Sequence, residues 1–237
     1  MIKLEHVVLA SPEQMEFIIE GMRNPLNSWN KSDSEIDNLV SVKDGSTVAR
    51  LFDLGSNDHS LMQRLAKAGT DHRKFMRMMP VYVRITAPLY WWKEFDTYKV
   101  ATVANSCSTM HKIHEKEFTK EDFSCEHLLC GGVLDDVPNN DGKWVRFNGI
   151  DCLKDTIYIL NKARELYLQT KDKCFWWQMI QLLPSSYNQT RNVMMNYEVL
   201  ANMYKSRKNH KLDEWRELCS WIETLPYSEL ITGKFDD

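Results

Sequence analysis

Hydrophobic and polar positions alternate most cleanly where Val81, Val83, Ile85 and Ala87 are separated by Tyr82, Arg84 and Thr86. A period of two with one apolar face predicts a strand half-buried against a core. Pro88 follows and opens a short predicted helix that holds Trp91 and Trp92. Residues 2–10 alternate more loosely and give a second strand. It ends at Ser11-Pro12, a capping residue and a first-turn proline, so a helix is expected to run to about Arg23, before Asn24-Pro25. Residues 27–56 are rich in Ser, Asp and Asn and predict irregular structure or a short hairpin. A helix is expected from Ser56-Asn57-Asp58 to near Gly69, and residues 131–147 read as a hairpin turning at Pro138-Asn-Asn-Asp-Gly142.

From Asp151 onward the period changes. Ile157, Leu160, Ala163 and Tyr167 recur at helical spacing with charges between them. Pro184 breaks the run, a long helix is expected from about Tyr187, and a last one contains residues 212–224 and stops before Pro226. Strands early and helices late argue for an α+β fold. With no internal repeat, low-complexity tract or linker, the expectation is one domain over residues 1–237.

Composition narrows the function classes without naming one. The 237 residues are 43% hydrophobic and 27% charged, ordinary for a globular chain. A net charge of -3 lacks the basic footprint of a general nucleic-acid binder, while a small anionic ligand needs only local cations. No window approaches the roughly 20 apolar residues of a membrane span. The start lacks the apolar core of a signal peptide, so a cytoplasmic protein is expected. Six cysteines without a CxxC pair are expected to be reduced thiols. The group Cys125-Glu-His127-Leu-Leu-Cys130 offers too few ligands at a poor spacing for a closed zinc site, so no metal is expected.

Two stretches do not read as packing alone. On the helix expected after Pro184, Asn196, Leu200, Met203 and Arg207 fall at i, i+4, i+7 and i+11, with Val193 and Tyr204 beside them. An amide and a guanidinium thus sit at either end of an apolar stripe. Burying the amide unpaired costs about 1–3 kcal/mol, and the charge costs more. Either neighbouring elements or solvent satisfy them, or a ligand does. The second stretch, residues 94–108, is dense in hydroxyls and too polar for a strand core. Loops between rigid elements often carry sites, though a solvated loop has the same composition.

Together these stretches resemble the flavin-dependent thymidylate synthases (ThyX). In that family a strand leads through an Ala-Pro or similar pair to the motif RHRxxSxNxxSxR, and a late helix supplies asparagines for the flavin and an arginine for the nucleotide. Counted from Ala87-Pro88, Thr97, Tyr98 and Lys99 fall on the Arg-His-Arg triplet and Thr102 on the first Ser. Asn105 and Ser108 match the Asn and the second Ser after a one-residue insertion, and Glu94 falls on a glutamine that touches the nucleotide. His72 falls on a flavin-contacting histidine, Asn196 and Asn202 on two flavin-contacting asparagines, and Arg207 on the arginine that holds the pyrimidine. The likeness spans roughly residues 55–225. Both triplet arginines are missing, the motif's last Arg becomes Met110 or Thr109, and Ile180 and Glu198 stand at two further family arginines. Lys99 is a point charge and does not reproduce a bidentate grip on phosphate. Arg191, one turn into the expected helix, and Lys205 are candidate substitutes.

The resemblance implies a central, mostly antiparallel sheet flanked by long helices. It implies reductive methylation of dUMP to dTMP, with methylenetetrahydrofolate as carbon source, NADPH as reductant and FAD as relay. His72, Tyr98, Lys99, Asn196 and Asn202 would hold the flavin; Glu94, Asn105, Ser108, Arg191 and Arg207 would hold the nucleotide. Arg207 would also be catalytic, stabilising negative charge on the uracil ring. Cys107, inside the motif region, would not be needed. A homotetramer with shared sites is implied, and Trp91-Trp92 and Trp176-Trp177 are then interface or core. Two alternatives are a flavoenzyme of this fold acting on another pyrimidine nucleotide and an inactive structural homologue.

Overall fold

The computed structural model describes residues 1–40, 47–130, 134–138, 142 and 144–235. Strand β1 (Lys3–Leu9) passes into helix α1 (Pro12–Arg23) through a reciprocal cap. Ser11 Oγ accepts the Gln14 N–H, and the Gln14 side chain accepts the Ser11 N–H at 2.9 Å. Strands β2 (Glu35–Val40) and β3 (Thr47–Asp53) form an antiparallel hairpin in which Glu35 pairs with Asp53. Helix α2 (Ser56–Lys67) starts as predicted but borrows its cap. The Asp33 carboxylate accepts from Asn57 N at 2.9 Å and Asp58 N at 3.1 Å. That approach requires glycine at position 55, where a Cβ would lie 2.2 Å from the Asp33 side chain.

Strand β4 (Pro80–Pro88) buries Val81, Val83, Ile85 and Ala87 and exposes Tyr82 and Arg84, as its alternation predicts. Pro88 caps helix α3 (Leu89–Phe95). Strand β5 (Val103–Ser106) corrects the expectation that residues 94–108 form a loop. All four of its residues are exposed. An edge strand needs no apolar face, so polarity did not exclude pairing. Strands β6 (Leu134–Pro138) and β7 (Trp144–Phe147) form the expected hairpin, with Val137 opposite Val145. Apart from Pro138 and Gly142, the predicted turn lies outside the described residues. Helices α4 (Gly149–Thr170) and α5 (Lys173–Leu182) are capped by the side chains of Asn148 and Asp172.

The largest correction concerns the region after Pro184. Strand β8 (Asn188–Asn196) stands where a helix was expected, and helix α6 (Tyr197–Arg207) begins ten residues later than its pattern suggested. Gln189, Val193 and Met195 are buried at strand spacing. Pairing between β4 and β5 overrides a stretch whose local period was ambiguous. Helices α7 (Asp213–Ile222) and α8 (Glu229–Thr232) complete the chain. The fold is α+β with an antiparallel sheet, as expected.

The chain divides into two compact units. One comprises Ile2–Ile85, Tyr98–Asn105 and Asn192–Asp237. The four-stranded sheet, of which it holds the larger part, runs in the order β1-β4-β8-β5. Its fully buried side chains include Ile18, Met62, Met195, Leu200 and Trp215. Beside them Arg23 Nε donates to Asp58 Oδ1 at 2.5 Å, and the other Asp58 oxygen accepts from the Ser32 and Ser34 hydroxyls at 2.7 Å each. Burial opposes the ionised carboxylate, but hydrogen bonds from Ser34, Ser32 and Arg23 outweigh it and hold the Asp58 carboxyl below its ordinary range.

The other unit comprises Met1, Thr86–Thr97 and Ser106–Arg191. Ile113, Phe118, Phe123, Leu153, Leu160, Ala163 and Met179 form its core beneath the α4–α5 pair. Trp91 and Trp92 are buried and meet edge to face at 4.9 Å, so this pair is core. Trp176 is half-buried and Trp177 is exposed. All six cysteines are free thiols. Among the described residues no helix is long and apolar enough to cross a membrane.

Candidate functional site

Arg207 is the last residue of α6, and two aromatic side chains hold it. Its Nε donates to the Tyr98 hydroxyl at 3.0 Å. Its guanidinium carbon lies 4.7 Å from the Trp215 ring centroid and 5.7 Å from that of Tyr98. The rings themselves are 5.9 Å apart and tilted by 59°. Trp215 is packed into the core: Trp215, Leu218 and Ile222 form the apolar stripe of α7 and are each fully buried. The turn between the helices is tied as well. His210 N donates to the Arg207 carbonyl at 2.9 Å, and Arg216 Nη1 donates to the His210 carbonyl at 2.7 Å. The result is a half-buried guanidinium fixed on an aromatic shelf, an arrangement that favours a cation.

At the other end of α6, Asn196 is a helix cap rather than the start of a helical face. Its Oδ1 accepts from Val199 N at 2.9 Å and its Nδ2 donates to the Arg77 carbonyl at 3.2 Å. Glu198, at a position where the resembling family has arginine, is buried against a guanidinium from elsewhere. Arg73 Nη2 donates to Glu198 Oε1 at 3.0 Å. Arg73 Nε lies 2.8 Å from Oε2, an ion contact without hydrogen-bond alignment. His72 precedes Arg73 with its side chain exposed, and Asn202 and Lys99 are exposed too.

The remaining predicted residues are distributed over both units. Asn105 lies on β5 in a groove of about 440 Å³ across the outer face of the sheet, with Val8, Tyr82, Arg84, Val103 and Met194. Thr102, just before β5, buries its hydroxyl oxygen with no partner among the described residues. In the other unit Ser108 Oγ accepts from His111 N at 2.9 Å and so closes a turn. Glu94 is half-buried in the last turn of α3. Arg191 lies on a strand, not a helix, because β8 replaces the expected element. Its Nη1 is 2.6 Å from Asp96 Oδ1, its Nε donates to Gln189 Oε1 at 2.9 Å, and its guanidinium carbon lies 4.1 Å over Trp92.

Tyr98 and Arg207, far apart in sequence, are thus brought into contact. Trp215 and Arg73 were missed by sequence reasoning. An aromatic in the first turn of an amphipathic helix reads as core, and an arginine in a polar turn reads as surface; only tertiary contact distinguishes either.

The fold is related to that of ThyX. No protein-family profile and no curated protein sequence matches the chain. Among solved structures, the flavin-dependent thymidylate synthase ThyX from Helicobacter pylori, complexed with FAD and dUMP, superposes with a TM-score of 0.60 at 16% identity, over 98% of this chain and 97% of that one. A second Helicobacter pylori ThyX structure with FAD and dUMP gives a TM-score of 0.61 at 14% identity, over 98% and 96%. A UMP/dUMP methylase, PolB from Streptomyces cacaoi bound with 5-Br UMP, gives 0.56 at 13% identity, over 98% and 94%. At these identities the likeness is one of fold.

Proposed function

We propose that the protein is a flavoenzyme that modifies the pyrimidine ring of a nucleotide, with reductive methylation of dUMP to dTMP as its reaction. One observation carries this reading. The fold matches, over 98% of the chain, enzymes solved with dUMP or a UMP analogue. On this reading Arg207 meets a uracil carbonyl and stabilises negative charge developing on the ring, as a preorganised cation does. Glu94, Asn105 and Ser108 orient the nucleotide. Arg191 reaches a phosphate only by sharing its guanidinium with Asp96, whereas Lys99 and Lys205 are exposed and carry no ion pair among the described residues.

The donor set fits FAD. His72, Lys99 and Asn202 present an imidazole, an ammonium and an amide to the surface, and Thr102 holds a hydroxyl that no group among the described residues satisfies. The resemblance also gives Tyr98 and Asn196 to the cofactor, but the Asn196 amide is already taken up by backbone, which leaves Tyr98. FAD would supply the redox relay between NADPH and the methylene carried by tetrahydrofolate. A homotetramer, implied by the resemblance, belongs to the same reading. The methylase solved with a UMP analogue favours a second reading, in which the substrate is UMP.

Heat denaturation with and without FAD tests the cofactor. A ligand that binds only the folded state adds about 2.7 kcal/mol at a hundredfold excess over its dissociation constant, so the midpoint is expected to rise. No shift at high FAD contradicts the reading. Product analysis with dUMP and UMP, each supplied with methylenetetrahydrofolate and NADPH, separates the two substrates.

A further inference from the structure

We infer that Tyr98 and Trp215 are positioning residues that set the orientation of the Arg207 guanidinium for a pyrimidine ring. The inference rests on the proposed reading of Arg207 and adds two residues to it. By resemblance Tyr98 belongs to the flavin, and Trp215 has no assigned role. The geometry gives Trp215 a task and Tyr98 a further one.

An arginine side chain has several rotatable bonds, and a guanidinium that recognises a carbonyl must present a chosen edge in a chosen plane. Two constraints suffice to fix it, and both are present. The Tyr98 hydroxyl takes the Nε–H at 3.0 Å, which sets rotation within the guanidinium plane. The Trp215 ring at 4.7 Å limits motion perpendicular to it. Neither constraint is free to drift. Trp215 is fully buried, the His210 ring meets it nearly edge-on at 6.3 Å, and Tyr98 leans on it at 5.9 Å. Arg216 also donates to the carbonyls of His210 and Lys211, at 2.7 and 3.0 Å, and fastens the turn beneath the shelf.

The test is calorimetric titration of the full-length protein, with FAD present, using two probes: dUMP and 2-deoxyribose 5-phosphate, which lacks the base. Tyr98→Phe removes one oxygen and keeps the ring contact. It is expected to leave the melting temperature nearly unchanged and weaken dUMP about fivefold, the net worth of one ordinary hydrogen bond. The sugar phosphate should bind as before, a selectivity that a merely structural role would not produce. Trp215→Phe, which keeps a smaller shelf, should lose less dUMP affinity than Trp215→Leu. If Trp215→Leu does not fold, Tyr98→Phe alone decides. Unchanged dUMP affinity in Tyr98→Phe, with dUMP binding lost in Arg207→Ala, overturns the inference and leaves the reading of Arg207 standing. Equal weakening of both probes also overturns it. Unchanged dUMP affinity in Arg207→Ala defeats the reading of Arg207 and the inference with it.

Discussion

The two ends of α6 carry the two polar residues that break its apolar stripe, and the structure gives them unlike settings. At the N-terminal end Asn196 is buried, and both atoms of its amide already have backbone partners. Two residues on, Glu198 is paired with Arg73. At the C-terminal end Arg207 is half-buried and rests on the rings of Trp215 and Tyr98. The same anomaly in a sequence therefore has two meanings. One is a helix start that uses its polar group locally; the other is a cation fixed at the boundary with solvent. Stability is concentrated at the first end, and the proposed chemistry at the second.

Mutations should separate the ends, beginning with the largest effect. Glu198→Ala leaves the Arg73 guanidinium without its carboxylate, a loss expected to cost about 3 kcal/mol, toward the low end for a buried pair. The melting temperature should then fall by about 9 °C. A drop of a degree or less would mean that the pair is not buried in solution. Asn196→Ala removes a cap and leaves the Arg77 carbonyl without its donor, for about 2 kcal/mol. Asn196→Asp should recover the cap and part of the loss, and failure to do so would argue against the capping role.

A charge with a purely structural task should also declare itself in the pH dependence, and Asp58 is the reference. Its folded-state carboxyl lies below the ordinary value of 3.8. Its contribution is therefore fully present above about pH 4 and is lost as pH falls through the lower folded value. The difference in melting temperature between wild type and Asp58→Asn should shrink below that pH. A difference constant down to about pH 2 would contradict the hydrogen-bonded carboxylate. Arg207→Ala should show the smallest change in stability, about 1 kcal/mol or less, because solvent screens the interactions of a half-buried cation.

What the sequence revealed of this fold depends on where the partner lies. The cap of α1 is Ser11 with Gln14, three residues away, and was legible. The alternation of β4 was legible because both of its faces are expressed within one strand. The cap of α2 was not, since Asp33 stands 24 residues before Asn57. Strand β8 was missed for the same reason: its neighbours are β4 and β5, and a helical count from Pro184 runs through it without conflict. At the candidate site, helical spacing singled out Asn196 and Arg207 but could not separate a cap from a site. Tyr98 and Trp215 carry no local sign of meeting Arg207, because that meeting is made by three segments of chain.

The central claim is that the C-terminal end of α6 receives a pyrimidine nucleotide, and titration of dUMP into FAD-saturated protein tests it most directly. The wild type should bind saturably. Arg207→Ala, with a melting temperature close to that of the wild type, should bind at least about thirtyfold more weakly, the loss of roughly 2 kcal/mol expected for a charge-assisted contact. Equal dUMP affinity in the two proteins, or no binding by the wild type at millimolar nucleotide, would contradict the claim.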